Sequence, residues 1–284
     1  MDIVDFRLRP PAGTFLRCGF YGSMENPFAW HSEWPASIME RSLEKLKQEM
    51  RQANVTRAVI WGRKTYQPDH STTDDDVARI RDANKEFIAA FGGACPTRDT
   101  IKETLEEAEH AVQVLGMKGM TLEPSFGMRP LTHANDPMLY PLYELLQGSN
   151  AILALTISRG SPQEQTLAHS NPESVDKVAR DFPRLKIVIS HAFWPWVEQS
   201  CGLAFRRENI YLLPDLYGMA MPGHLGWVEA ANTYLQDRML FGSAYPFLGV
   251  GEMVEAYQRL PYRDDVLEKV MCRNAENLLG IKAA

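Results

Sequence analysis

The chain opens MDIVDFRLRPP, and its first chemistry-bearing residues are two arginines spaced i, i+2 at the end of an apolar run. Residues two apart on a β-strand share a face, so Arg7 and Arg9 are expected to project together. Guanidinium groups stay protonated and offer only donors. Such a pair suits a substrate carboxylate that bridges both through charge-assisted hydrogen bonds. An equally simple use is internal ion pairing with Asp5, Glu123 or Asp215. Further along, VISHAFWPW carries His191 and LPDLYGM carries Asp215 and Tyr217. Histidine is the side chain best suited to moving protons near neutral pH, and a carboxylate or phenol beside it would orient it or donate to a carbonyl oxygen.

Residues this far apart need a frame that gathers them. Eight short β-rich runs alternate with longer helical patterns: 3–6, 57–61, 87–94, 118–122, 152–156, 186–190, 210–213 and 239–241. Between them lie stretches such as SIMERSLEKLKQEMRQA, DTIKETLEEAEHAVQVLG and DPMLYPLYELLQG, whose apolar residues recur at three- and four-residue spacing. Asp99 and Asp136 are expected N-caps, Gly116 and Gly148 expected stops, and Asn171 before Pro172 an expected helix opening. The acids of TTDDDVARI read as a helix start and not as a metal site. Repeated strand–helix alternation without a Gly/Ser/Pro linker predicts an α/β fold, a (β/α)8 TIM barrel over residues 1–284 as one domain. Residues 10–36, rich in Gly, Pro and aromatics, are a candidate lid over its mouth.

A barrel carries its functional residues at the C-terminal ends of its strands. Those ends supply Arg7, Arg9, Arg63, Glu123, Thr156, Arg159, His191, Asp215, Tyr217, Ala244 and Tyr245. His191, Glu123 and Asp215 are the candidate proton-transfer groups. Arg7, Arg9, Arg63, Thr156, Trp194, Tyr217 and Tyr245 are the candidate substrate contacts, although Trp194 and Trp196 equally suit packing.

Composition narrows the partners. Of 284 residues, 45% are hydrophobic and 23% charged, enough for a sizeable core. A net charge of −6 leaves no basic footprint for nucleic acid. The four cysteines, Cys18, Cys95, Cys201 and Cys272, form no CxxC pair and read as reduced, buried thiols. Acidic residues near the start and no run of membrane-spanning length predict a cytoplasmic protein without a membrane partner. The expected partner is a small anionic organic acid, and self-association into a homo-oligomer stays open.

VISHAFWPW and LFGSAYPF, together with GMKGMTLEP, LYPLYELL and RNAENLLGI, resemble segments of the amidohydrolase superfamily, in its amidohydrolase-2 branch. The resemblance runs from Asp5 to Ile281. It implies a hydrolase, lactonase, hydratase or decarboxylase of small carboxylated or aromatic-derived acids, most such enzymes using one divalent metal. The branch pattern is Asp-x-His-x-His at strand one, a His at strands five and six, and an Asp at strand eight. Here Arg7 and Arg9 replace the paired histidines, Leu155 or Thr156 the strand-five histidine, and Ala244 the strand-eight aspartate; of these histidine and strand-eight positions only His191 keeps its residue type.

Arginine has no lone pair for a cation and alanine no ligand atom, so neither a metal nor another cofactor is expected. A zinc-bound water is about 9 pKa units more acidic than bulk water, on the order of 12 kcal/mol of hydroxide generation. One histidine acting as general base supplies roughly 3–5 kcal/mol. That restricts the expected chemistry to activated substrates such as a lactone or keto acid. Lactonases of pyrone dicarboxylates in this family work without a metal, though they keep the paired histidines and the aspartate. The competing expectations are a noncatalytic anion-binding or scaffold protein, and a metal held at an altered site by Asp5, Glu123, His191 and Asp215.

Overall fold

Seven parallel strands pair in chain order: β1 (Ile3–Leu8), β2 (Val55–Trp61), β3 (Phe87–Ala94), β4 (Gly119–Leu122), β5 (Ile152–Thr156), β6 (Ile187–Ser190) and β7 (Ile210–Leu213). They belong to a computed structural model that describes residues 1–18, 21, 34–158 and 165–281. The expected lid at 10–36 lies mostly outside the described residues, as does Arg159. Each strand is followed by helices, the alternation that β-branched apolar runs and amphipathic stretches dictate.

The eighth expected strand, 239–241, is corrected to a bridging segment. Leu212 pairs with Met239 and Leu8 with Tyr245 as isolated bridges. The Leu240 amide donates to Leu212 O on one side, and the Phe6 amide donates to Phe241 O on the other. The segment therefore links β7 to β1 and closes the ring, giving the TIM-barrel architecture. A regular ladder does not form: the Phe241 amide donates to Val270 O, and just beyond the segment side chains take the backbone donors. The Ser243 amide donates to Asp5 Oδ1 and the Tyr245 amide to Ser243 Oγ, while Ala244 adopts φ +56°.

Three smaller expectations also shift. The helical run at 37–53 breaks at Arg41 (φ +50°) into Ala36–Met39 and Leu43–Gln52, the second capped by Ser42. Thr100, not Asp99, caps Ile101–Gln113, in a reciprocal box with Glu103. Asp99 instead pairs with Lys64 and Arg98. Gly148 is the last residue of Tyr140–Gly148 and lies inside the helix. Asp136 does cap Pro137–Leu139, and Asn171 Oδ1 accepts the Glu173 amide.

Alternate strand positions feed two apolar clusters, as the two-residue period requires. Ile60, Ala90, Leu153, Leu155, Ile189 and Leu212 pack with helix residues such as Leu46, Val77, Ala108 and Val178. Val4, Phe6, Val59, Trp61, Phe91, Ala154 and Val188 gather in the second cluster and fill the barrel's centre. All four cysteines are free and buried. Among the described residues no helix is long and apolar enough to cross a membrane.

Candidate active site

Above the filled centre, the strand ends carry a buried cluster of charge. Arg7, on β1, sends Nη1 to Asp215 Oδ2 at 3.2 Å, and its guanidinium carbon lies 5.5 Å from the Trp61 ring centroid. Arg9 instead sends Nη2 to Glu123 Oε1 at 3.0 Å. The two arginines therefore reach different carboxylates, one after β7 and one after β4. A register irregularity between Asp5 and Leu8 interrupts the even alternation of β1. Of the uses open to this pair, internal ion pairing is realised for both.

Glu123 is held on both oxygens, since Arg63 Nε donates to Oε2 at 2.9 Å while Arg9 takes Oε1. Burial alone would raise its pKa; Arg63 and Arg9, with Arg7 behind them, overcome that and hold it below the usual carboxylate range. Burial, then Arg7, pulls the Arg9 guanidinium down to about 9, still a cation at neutral pH. The Tyr21 hydroxyl donates to Arg9 O at 2.6 Å and fixes the chain just beyond β1.

Asp215 is completely buried and collects four donors. Oδ2 accepts from Arg7, from Ser190 Oγ at 2.8 Å and from the His191 amide at 3.3 Å. Oδ1 lies 2.7 Å from His191 Nδ1. A carboxylate so surrounded is an acceptor only, which places the neutral imidazole's proton on Nδ1 and its lone pair on Nε2. Burial lowers the His191 pKa below the imidazole value; Asp215 opposes this, while Arg7 and Arg9 add to it. His191 as a residue is 7% exposed.

The turn that presents His191 is strained. His191, Ala192 and Phe193 adopt φ of 66°, 42° and 65°, a left-handed stretch without a glycine. Each non-glycine residue there costs roughly 1–2 kcal/mol. The Phe193 amide bond to Ile157 O at 3.1 Å and the Trp194 amide bond to His191 O at 3.0 Å hold it, with Asp215 on the His191 amide. Asp215 itself has φ +44°. Strain of this kind concentrates where a side chain must be aimed.

Aromatic groups flank the histidine. Tyr217 meets the His191 ring edge-on at 4.9 Å, and Trp194 stacks on Tyr217 at 5.3 Å. The Trp194 indole N–H donates to Pro222 O at 3.2 Å. Thr156, at the end of β5 beside Ser190, is fully buried and its Oγ1 has no hydrogen-bond partner among the described residues. Tyr245 is turned elsewhere: its hydroxyl bonds Ser37 Oγ at 3.0 Å. The structure thus gathers Arg7, His191, Asp215, Tyr217 and Trp194 in one contact chain and Arg9, Arg63 and Glu123 in another. Ser190 and Trp61 are participants that the sequence reading passed over. Ser190 ends β6 and faces the same way as Thr156, so the strand-end rule that found Thr156 reaches it too.

These residues do not fit a divalent cation. Three guanidinium groups face the two best carboxylates, and the imidazole Nδ1 is committed to Asp215. Among the described residues no group of three His, Cys, Asp or Glu is placed to hold a metal ion.

Comparisons with known proteins complete the picture. The family model described as amidohydrolase matches residues 5–281. An uncharacterized TIM-barrel protein of Bordetella bronchiseptica is 35% identical, with 99% of both chains covered and a TM-score of 0.90. The 5-carboxyvanillate decarboxylase of Sphingomonas paucimobilis is 17% identical over 99% of both chains, with a TM-score of 0.68. A dihydroxybenzoic acid decarboxylase of a Polaromonas species, solved with bound manganese and the inhibitor 2-nitroresorcinol, is 13% identical at a TM-score of 0.72. That match covers 100% of this chain and 98% of the decarboxylase. At that identity the two decarboxylases share the fold. No curated protein matches the chain.

Proposed function

The chain belongs to the amidohydrolase family, and from that premise we propose that it is an acid–base enzyme acting without a divalent metal on a small carboxylate-bearing substrate. The favoured reaction is hydrolysis of an activated ester or lactone. One observation carries this reading: the buried His191–Asp215 contact of 2.7 Å, which leaves the Nε2 lone pair as the site's proton acceptor. In that reaction Nε2 takes a proton from the attacking water as its oxygen bonds the carbonyl carbon, and returns it to the leaving alkoxide oxygen as the ring C–O bond breaks. Asp215 stabilises the transient imidazolium. Arg9 and Arg63 share the single carboxylate of Glu123, and the positive charge that this cluster keeps suits a substrate carboxylate. Trp194 and Tyr217 suit the flat face of an unsaturated ring.

A general base of this kind contributes about 10²–10⁴-fold, which is why the proposal is confined to activated carbonyls. The test is a panel of carboxylated lactones, activated esters and keto acids, assayed with and without a chelator, on wild type and His191→Gln. We expect turnover of at least one lactone or ester, indifferent to the chelator and reduced roughly 10²–10⁴-fold in the variant. Saturable binding across the panel with no turnover would establish the noncatalytic anion-binding alternative. Near-stoichiometric zinc or manganese with chelator-sensitive turnover would overturn metal independence. Release of carbon dioxide from a keto acid, without lactone cleavage, would replace the hydrolase by a carboxy-lyase.

A further inference from the structure

Of the two uses the sequence leaves open for Arg7, a grip on substrate or an internal ion pair, the geometry favours the second. Its Nη1 is spent on Asp215 Oδ2, the same carboxylate whose other oxygen meets His191 Nδ1. Its plane rests beside Trp61, and it is 2% exposed. A cation one carboxylate away from an imidazole has two effects. It withdraws negative charge that would otherwise stabilise imidazolium, and it fixes which carboxylate oxygen faces the ring.

We propose that Arg7 is a positioning residue that, through Asp215, keeps His191 neutral and its Nε2 open to accept a proton at neutral pH. Arginine occupies a place in β1 from which a fixed cation does to the histidine what no neutral residue there could do. The inference rests on the acid–base reading of His191 for its purpose, though not for its measurement.

Among the described residues, Asp215 and Tyr217 meet the ring from the segment after β7, and Arg7 from β1 and Arg9 from just beyond it act on it by their charge. Glu123 and Arg63 stand behind Arg9. Burial raises the carboxyl of Asp5, on the same strand as Arg7, to about 6, which would add a second inflection to a titration. Arg7 acts on His191 in the same direction as burial, and Asp215 opposes both.

The experiment is a nitrogen-15 NMR titration of the His191 side chain in the full-length protein, for wild type, Arg7→Met and Arg7→Lys, each repeated with Asp5→Asn to remove the second inflection. In wild type we expect a neutral ring with the proton on Nδ1 through pH 7. In Arg7→Met the His191 midpoint should rise by roughly one to three pH units, the size of effect a neighbouring charge exerts. Arg7→Lys retains a cation and should return the midpoint most of the way to the wild-type value. An unchanged or lowered midpoint in Arg7→Met, or equal shifts in the two variants, would overturn the proposal. Should Arg7→Met not fold, Arg7→Lys and Arg7→Gln are compared in its place, the glutamine being required to raise the midpoint and the lysine not. Because the readout is a protonation state, a protein that turns over nothing still tests Arg7. A protein whose lactonase activity survives with an unmoved midpoint refutes Arg7's role alone.

Discussion

Replacing Asp215 by asparagine tests the centre of the site most sharply. The substitution keeps the shape of the side chain and removes its charge. One face of the group meets three donors, Arg7 Nη1, Ser190 Oγ and the His191 amide, whereas the other meets only His191 Nδ1. The amide oxygen must therefore face the three donors, which turns its NH2 toward Nδ1. Two donors cannot share that contact, so the imidazole is forced into the opposite tautomer, with its proton on Nε2 and no lone pair for the substrate. Activity should fall by about 10⁴-fold, the effect known for the same tautomer reversal in a serine protease. Stability should fall as well, because Arg7 is left buried beside a neutral group. Breaking a buried pair on one side costs about 3–5 kcal/mol, and the hydrogen bonds that asparagine keeps place the expectation near the low end. Denaturant unfolding of both proteins at one pH measures that loss, and nitrogen-15 spectra of His191 report the tautomer. A variant that loses less than about 1 kcal/mol and keeps its proton on Nδ1 would refute the account of the site.

The same reasoning extends to neighbouring groups. Glu123→Gln removes the common partner of Arg9 and Arg63 and should lower unfolding stability by about 3 kcal/mol or more; a loss within experimental error would mean that solvent already screens this pair. Burial, against bonds from Ser243 and Arg7, pushes the Asp5 carboxyl up to about 6, so the folded protein holds this proton more tightly than the unfolded chain. Its contribution is therefore favourable at low pH and is lost as pH rises from about 4 to 6, by an amount on the order of 3 kcal/mol. Asp5→Asn should gain stability relative to wild type across that window, and a difference that stays flat with pH would contradict it. At Ala192, with φ of 42°, glycine should change stability by no more than about 1 kcal/mol, since relief of strain offsets a lost buried methyl. Valine there should cost about 2 kcal/mol or more; thermal melts of the two variants that coincide would argue against the left-handed turn.

The barrel was legible because its strands are apolar runs of the right length between helices with period 3.6, as in FIAAFGGA and ILALT, which match β3 and β5 to the residue. The eighth segment was less so. Its sequence, MLFGSAY, is apolar enough, but Ser243 and Asp5 divert its backbone donors, a tertiary event without a local signal. The strand-end rule picks out Arg7, Glu123, His191 and Asp215, which lie at or just past the ends of their strands, because it depends only on where apolar runs stop. It could not choose partners. Arg7 pairs with a residue 208 positions away and Arg9 with one 114 away, and only closure of the ring together with the irregular register of β1 decides which goes where. The left-handed conformation at 191–193 was equally invisible, because glycine is the sequence's signal for such a turn and none is present.

That turn and the arginines belong to one physical arrangement. A divalent ion anchors its ligands by direct bonds and so fixes an imidazole in space; in the proposed metal-independent chemistry something else must aim the ring. Here Asp215 aims it, and Asp215 is aimed in turn by Arg7, Ser190 and the His191 amide. The His191 amide is bonded to Asp215, and the φ of 66° at residue 191 then sets where the imidazole goes from that fixed amide. Strain in the turn and charge on Arg7 are thus two ends of the same constraint. Relaxing either one frees the ring from the carboxylate, and with it the proton acceptor on which the proposed chemistry depends.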